Sequence, residues 1–175
     1  MSGNAMSGRT VSDALIEPHW QDAFARIFDL CAARSGETVT VLAETRSRQL
    51  NLTLATAALG ELQLAHEIVT VPSKPASAGP IIRSTGASTA LTGESDAVAR
   101  LCDSDLVIDL TVEGLMHAPE TAAILKSGAR IMTVSNEHPD ILARLVPEPA
   151  MKDVVRDAVA ALSLIHISEP TRPIR

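Results

Sequence analysis

The chain has 175 residues, of which 46% are hydrophobic and 21% charged, and its formal net charge is −6. That length suits one domain with a sizeable core, in the composition range of ordinary globular proteins. An acidic balance without a basic stripe argues against nucleic acid or an anionic membrane as partner. Aromatic residues make up only 2%, so Val, Ile, Leu and Ala must build the core. Cys31 and Cys102 stand far apart, with no disulfide framework and no zinc spacing. No apolar run approaches the roughly 20 residues that span a bilayer. The opening MSGNAMSGRT has no hydrophobic signal core. A cytoplasmic protein with a flexible lead over residues 1–17 is expected.

PHWQDAFARIFDLCAAR predicts a helix over 18–34, with Phe24, Ile27, Phe28 and Cys31 as its apolar stripe and Gly36 as its stop. TVTVLAE (38–44) is a short β-branched run and reads as a strand. SRQLNLTLATAALGEL (47–62) is helical again, with Ser47 as a candidate cap. Its Asn51-Leu52-Thr53 matches a glycosylation acceptor, but inside a helical pattern that match carries no weight. HEIVTVP (66–72) is a second strand. Residues 73–92 are rich in Pro, Gly, Ser and Thr, and a loop this long is usually functional or disordered. ESDAVARLCDS (94–104) predicts a helix, and DLVIDLT (105–111) is the most strand-like piece of the chain. PETAAILKSG (119–128) places Pro at a helix start and Gly at its stop. ARIMTVS (129–135) is a strand, and EHPDILARLV and MKDVVRDAVAAL are the closing helices.

Alternating helices and strands, with strands too apolar to face water, indicate a parallel sheet covered on both faces. The expected fold is a three-layer α/β domain over residues 18–161, flavodoxin-like or Rossmann-like. Strand order is not legible at this level. Beyond Leu162 the helical pattern breaks into LSLIHISEPTRPIR (162–175), without periodicity or turn logic. That segment resembles the conceptual translation of a sequencing-library transposon adapter. On this reading the protein proper stops near residue 161, and the chain is a piece of a longer enzyme.

Familiar chemical motifs are missing: no G-x-G-x-x-G after a strand, no phosphate-binding loop, no H-E-x-x-H and no G-x-S-x-G. TGASTALTG could hold an anion through backbone amides. It does not directly follow a strand, and a flexible linker is the plainer reading. Of the five histidines, His166 falls in the adapter-like tail. His19 and His66 read as surface residues, and His138 as a half-solvated residue at a helix start. His117 stands in DLTVEGLMHAPETA, between a predicted strand and a predicted helix. In parallel sheets, ligands bind outside the carboxyl ends of the strands. A helix N-terminus beside it disfavours imidazolium, and a neutral imidazole suits general-base work. The residues alone also allow a solvated loop histidine, and the nearby Asp109 and Glu113 do not decide between the two.

LTGESDAVARLCDSDLVIDLT, LMHAPETAAILKSGARIM and PDILARLVPE together resemble the N-terminal half of the 2,5-dihydroxypyridine 5,6-dioxygenases. That family of nicotinate degradation is related in structure to the thermophilic metallo-aminopeptidases. The similarity covers most of residues 18–160 and is best from Leu91 to Val155. It implies a non-haem Fe(II) ring-cleaving enzyme acting on a small aromatic substrate and O2, homo-oligomeric in its full-length form. The iron ligands, two histidines and a carboxylate, would lie in the half not present here, so no metal ligand is assigned in this chain and none is expected to be bound by it. The resemblance also implies that His117 is the catalytic base on the dihydroxypyridine. Two departures bear on the substrate: Ala118 replaces the family's serine after the histidine, and VPSKPASAGP differs from the family's loop. A metallo-aminopeptidase domain and a non-catalytic α/β binding module are the alternatives. The downstream sequence separates them: two histidines with an aspartate for the dioxygenase, a carboxylate-rich two-metal set for the peptidase, and a true stop near residue 161 for the module.

Overall fold

Among the described residues, four short strands form one all-parallel sheet in the order β2-β1-β3-β4. They are β1 (Val39–Glu44), β2 (His66–Val71), β3 (Leu106–Asp109) and β4 (Arg130–Thr133). The computed structural model describes residues 16–74 and 88–168, those after 162 by backbone alone. The expected lead over 1–17 and the loop over 73–92 thus fall largely outside the described residues. Because β1 lies between β2 and β3, the order is that of the flavodoxin-like type rather than the Rossmann type. The sheet reverses its winding between β1 and β3.

The described residues form six helices, α1 (Pro18–Leu30), α2 (Gln49–Glu61), α3 (Ser95–Cys102), α4 (Thr121–Lys126), α5 (Pro139–Leu145) and α6 (Met151–Ser168), of which α2, α3 and α4 lie between successive strands. Successive side chains of a strand face opposite ways, and the two faces carry separate cores. Val39, Val41, Leu106, Ile108 and Met132 meet Phe24 and Phe28 of α1 and Leu54, Ala55, Ala58 and Leu59 of α2. Leu42, Val69, Val71 and Val107 meet Ala97 and Leu101 of α3 and Ile124 of α4. This is the three-layer arrangement that the strand and helix alternation predicts.

The described chain divides into one unit ending at Arg144 and another beginning at Leu145. Within the second, α6 runs through Ser168, so helix continues past residue 161. Its Val154, Val155 and Leu162 are exposed. The side chains of Ile165 and Ile167, and all of Ile174, lie outside the described residues.

Several predicted boundaries move, for local reasons. α1 stops at Leu30 instead of continuing to Arg34. Ala32 takes a left-handed conformation with φ 56°. Its N–H bonds to Asp29 O, and Ala33 N–H bonds to Phe28 O. This Schellman closure ends the helix before Gly36 is reached. α2 ends in the same way at Gln63 (φ 56°), with Leu64 N–H on Leu59 O and the Leu64 side chain folded back into the core. Ser47 does not cap α2, whose N-cap residue is Arg48. Asn51 is fully buried and donates to Glu137 O at 2.9 Å, which gives the acceptor-like triplet a structural role.

Phe24 and Phe28 are the chain's only phenylalanines. They are fully buried and meet edge to face at 6.1 Å between ring centroids. Replacing Phe24 with Ala is expected to lower stability by about 3–5 kcal/mol, read from urea unfolding followed by circular dichroism. A loss below about 1 kcal/mol would mean that α1 does not close the core.

Candidate functional site

Parallel strands send all their exits to one edge of the sheet. There the segments after β1 (44–48), β2 (72–74), β3 (110–118) and β4 (134–138) converge. Side chains tie them together. Glu44, nearly buried at the end of β1, accepts from Val112 N–H at 2.6 Å. The Ser47 hydroxyl donates to Leu110 O at 2.7 Å and accepts from Glu44 N–H at 2.8 Å. These bonds bridge β1 and β3 across the point where the winding reverses. On one side, Arg46 N–H donates to the Ser73 hydroxyl at 3.0 Å. On the other, Arg48 N–H donates to Asn136 Oδ1 at 2.7 Å.

Asp109 closes β3. It is fully buried, in register with Leu42 on one neighbour and Thr133 on the other. Oδ1 accepts from Thr111 N–H at 3.0 Å and from the Thr111 hydroxyl at 2.6 Å. Oδ2 accepts from Leu115 N–H at 2.6 Å, and the Thr133 hydroxyl adds another bond. Burial raises the Asp109 pKa above the ordinary carboxylate range, and the bonds from Thr111, Leu115 and Thr133 partly offset that rise. Gly114 lets the loop lie close on its neighbours. Its φ is +74°, and a Cβ there would come within 2.6 Å of Ser135 Oγ and 3.7 Å of Asp109 Oδ2.

His117 lies in the same loop, beyond the carboxyl end of β3, and it is exposed. Beside it, Met116 is 70% exposed, while the flanking Leu115 and Ala118 are buried. Ala118 N–H bonds to Leu115 O at 3.0 Å, and the Thr121 hydroxyl donates to that same carbonyl at 2.5 Å. The loop thus presents Met116 and His117 outward from a turn anchored at both ends.

One expectation about this segment needs correction. The helix begins at Thr121, not at Pro119, and has six residues. A helix field falls off within its first turn, so α4 is a weak source of field at residue 117. Glu120 holds the N-cap position, and Ala118 fills core space against Leu115 and Ile124. Of the loop after β2, the described end is packed rather than a linker, with Ser88, Ala90 and Leu91 buried.

His19, His66 and His138 lie apart from this edge network or at its margin. His19 meets Asp140 at 3.3 Å on the α1–α5 side, and His66 bonds to Leu64 O at the start of β2. Exposed His138 stacks edge to face on Trp20 and accepts from Asp140 N–H at 3.2 Å. Among the described residues no three His, Cys, Asp or Glu side chains stand together in a way that could hold a metal. The donor set therefore does not fit an iron site. Nor is any described helix long and apolar enough to cross a membrane. The roles of Glu44, Ser47 and Gly114 escaped sequence reasoning. For Asp109 a signal existed: a carboxylate directly inside the apolar run LVIDL.

The geometry defines a doubly wound parallel α/β domain whose candidate chemistry sits on the carboxyl edge of the sheet. Within that class, residues 19–166 match the model of the 2,5-dihydroxypyridine 5,6-dioxygenase family, and the chain belongs to that family. A 2,5-dihydroxypyridine 5,6-dioxygenase of Pseudomonas putida is 31% identical over 144 residues, covering 81% of this chain and 39% of that protein. The solved structure of a 2,5-dihydroxypyridine dioxygenase from Pseudomonas putida aligns with a TM-score of 0.65 at 30% identity, over 80% of this chain and 39% of the other. The chain thus spans well under half the length of these relatives. The family match extends to residue 166, a few residues into the adapter-like segment.

Asp109 gives the edge a pH dependence whose sign follows from burial. A carboxyl whose folded pKa is raised binds more protons folded than unfolded. Its stabilising effect is complete below the unfolded value and is lost as pH rises through the folded one. The stability of the wild type minus that of Asp109→Asn should therefore fall as pH rises above about 4, measured by urea unfolding at a series of pH values. A difference that stays flat or grows over that range would contradict the raised value.

Proposed function

We propose that the chain is the N-terminal part of a 2,5-dihydroxypyridine 5,6-dioxygenase and that His117 is its general base. Family membership supports the reaction. The observation that carries the residue is the exposure of His117 on the carboxyl edge, between the buried anchors Leu115 and Ala118. An imidazole nitrogen accepts the proton of a ring hydroxyl, leaving an aryloxide on the substrate and imidazolium on the protein. The aryloxide enriches the ring in electrons and prepares it for attack by O2. Exposed Met116 offers an apolar neighbour on which an aromatic ring can lie.

Ferrous iron belongs to this proposal only through the longer protein. The described residues build no site for it, and no step assigned to this chain runs through it.

In the full-length enzyme, His117→Ala is expected to lower turnover by about 10²–10⁴-fold. Stability should change by no more than about 0.5 kcal/mol, because an exposed side chain is removed. Near-normal turnover on dihydroxypyridine would refute the assignment. Calorimetric titration of the purified chain with ferrous iron under nitrogen is expected to show no stoichiometric site. Stoichiometric binding at micromolar affinity or better would overturn the placement of the iron ligands outside this chain.

A further inference from the structure

We propose that Asp109 is a positioning residue, whose buried carboxylate fixes the 110–118 segment and thereby the place of His117. The proposal rests on the reading of His117 as the base, but it stands on its own geometry.

An aspartate at a fully buried strand position is costly unless its charge is satisfied. Here no cation pairs with it among the described residues. Apart from the Thr133 hydroxyl of β4, its partners are donors within one loop. Oδ1 takes both donors of Thr111, and Oδ2 takes Leu115 N–H. One carboxylate thus holds the loop two and six residues downstream of its own place in the sheet. From Leu115 the constraint continues. Its carbonyl accepts from Ala118 N–H at 3.0 Å and from the Thr121 hydroxyl at 2.5 Å. The side chains of Leu115 and Ala118 are both sunk in the core beneath α4. Met116 and His117 are the only residues between those anchors. A chain of bonds therefore runs from the sheet to the backbone that carries the imidazole. Glu44 holds the loop separately, at Val112, so loss of the Asp109 bonds should loosen the part from residue 113 onward.

Asn at 109 tests the role with little change of shape. Its amide keeps one acceptor oxygen and turns an N–H2 toward donors, so the Thr111 and Leu115 bonds cannot all persist. The readouts are amide hydrogen exchange and the His117 ring signals, both followed by NMR on this chain. In Asp109→Asn, Leu115 and Ala118 amides should exchange at least about tenfold faster. The His117 ring signals should move toward those of an unstructured peptide. Amides of β1 and α2 should keep their protection. Unchanged exchange at Leu115 with unshifted His117 signals would overturn the proposal. So would a uniform rise in exchange across the sheet, because Asp109 would then support the fold and not the loop. If Asp109→Asn does not fold, Thr111→Val decides. It removes one hydroxyl donor to Oδ1 and leaves the Leu115 bond, so the His117 signals should move in the same direction by less. Unmoved signals there would overturn the proposal. Neither readout involves turnover, so a failed base assignment and a failed positioning role give different results.

Discussion

All four strands run in one direction, so every strand exit meets at a single edge of the sheet, and there the chain must satisfy its backbone without a partner strand. Buried N–H groups that leave a ladder need other acceptors. This protein supplies them with polar side chains at or just beyond the strand ends. Glu44 serves Val112, Asp109 serves Thr111 and Leu115, and Asn136 serves Arg48. The crevice that a doubly wound sheet opens at its reversal point is thereby spanned by side chains, and the outward-facing surface consists of what the loops present above them.

The opposite edge is tied by the same physics with different partners. Thr38 N–H donates to Asp105 Oδ2 at 2.8 Å, and Arg130 pairs with Glu37 at 2.8 Å. Arg130 and Glu37 are half-buried there, and their hydrogen bond holds the Glu37 carboxyl below its ordinary range and the Arg130 guanidinium above its own. Asp109 lies inside the protein, where an unsatisfied group costs far more. At the carboxyl edge the carboxylate is satisfied by loop donors, which fixes the geometry of the 110–118 segment. The carboxyl edge also carries exposed His117, the residue proposed as the base.

Much of this was legible in the residues and some was not, and the division is physical. The helical stripe of Phe24 and Phe28 and the β-branched runs announced the elements, because burial imposes periods that sequence displays. Helix ends were less legible. α1 and α2 close on left-handed Ala32 and Gln63, and neither residue type advertises that conformation as glycine does. Ser47 had the chemistry of a cap and was used as a bridge between strands, because Leu110 from the far side of the reversal stands beside it.

By itself the sequence determined the class of fold, the presence of a parallel sheet, the family and the one histidine worth testing, because each rests on local pattern or motif. Tertiary structure decided the strand order, which depends on the direction each crossover takes. It also decided the roles of Asp109, Glu44 and Gly114, which depend on groups brought together from distant parts of the chain. A carboxylate in LVIDL can be seen in the sequence. That its two oxygens reach Thr111 and Leu115, and so anchor the loop that carries His117, follows only once β3 is paired on both sides and its exit is folded back onto the sheet.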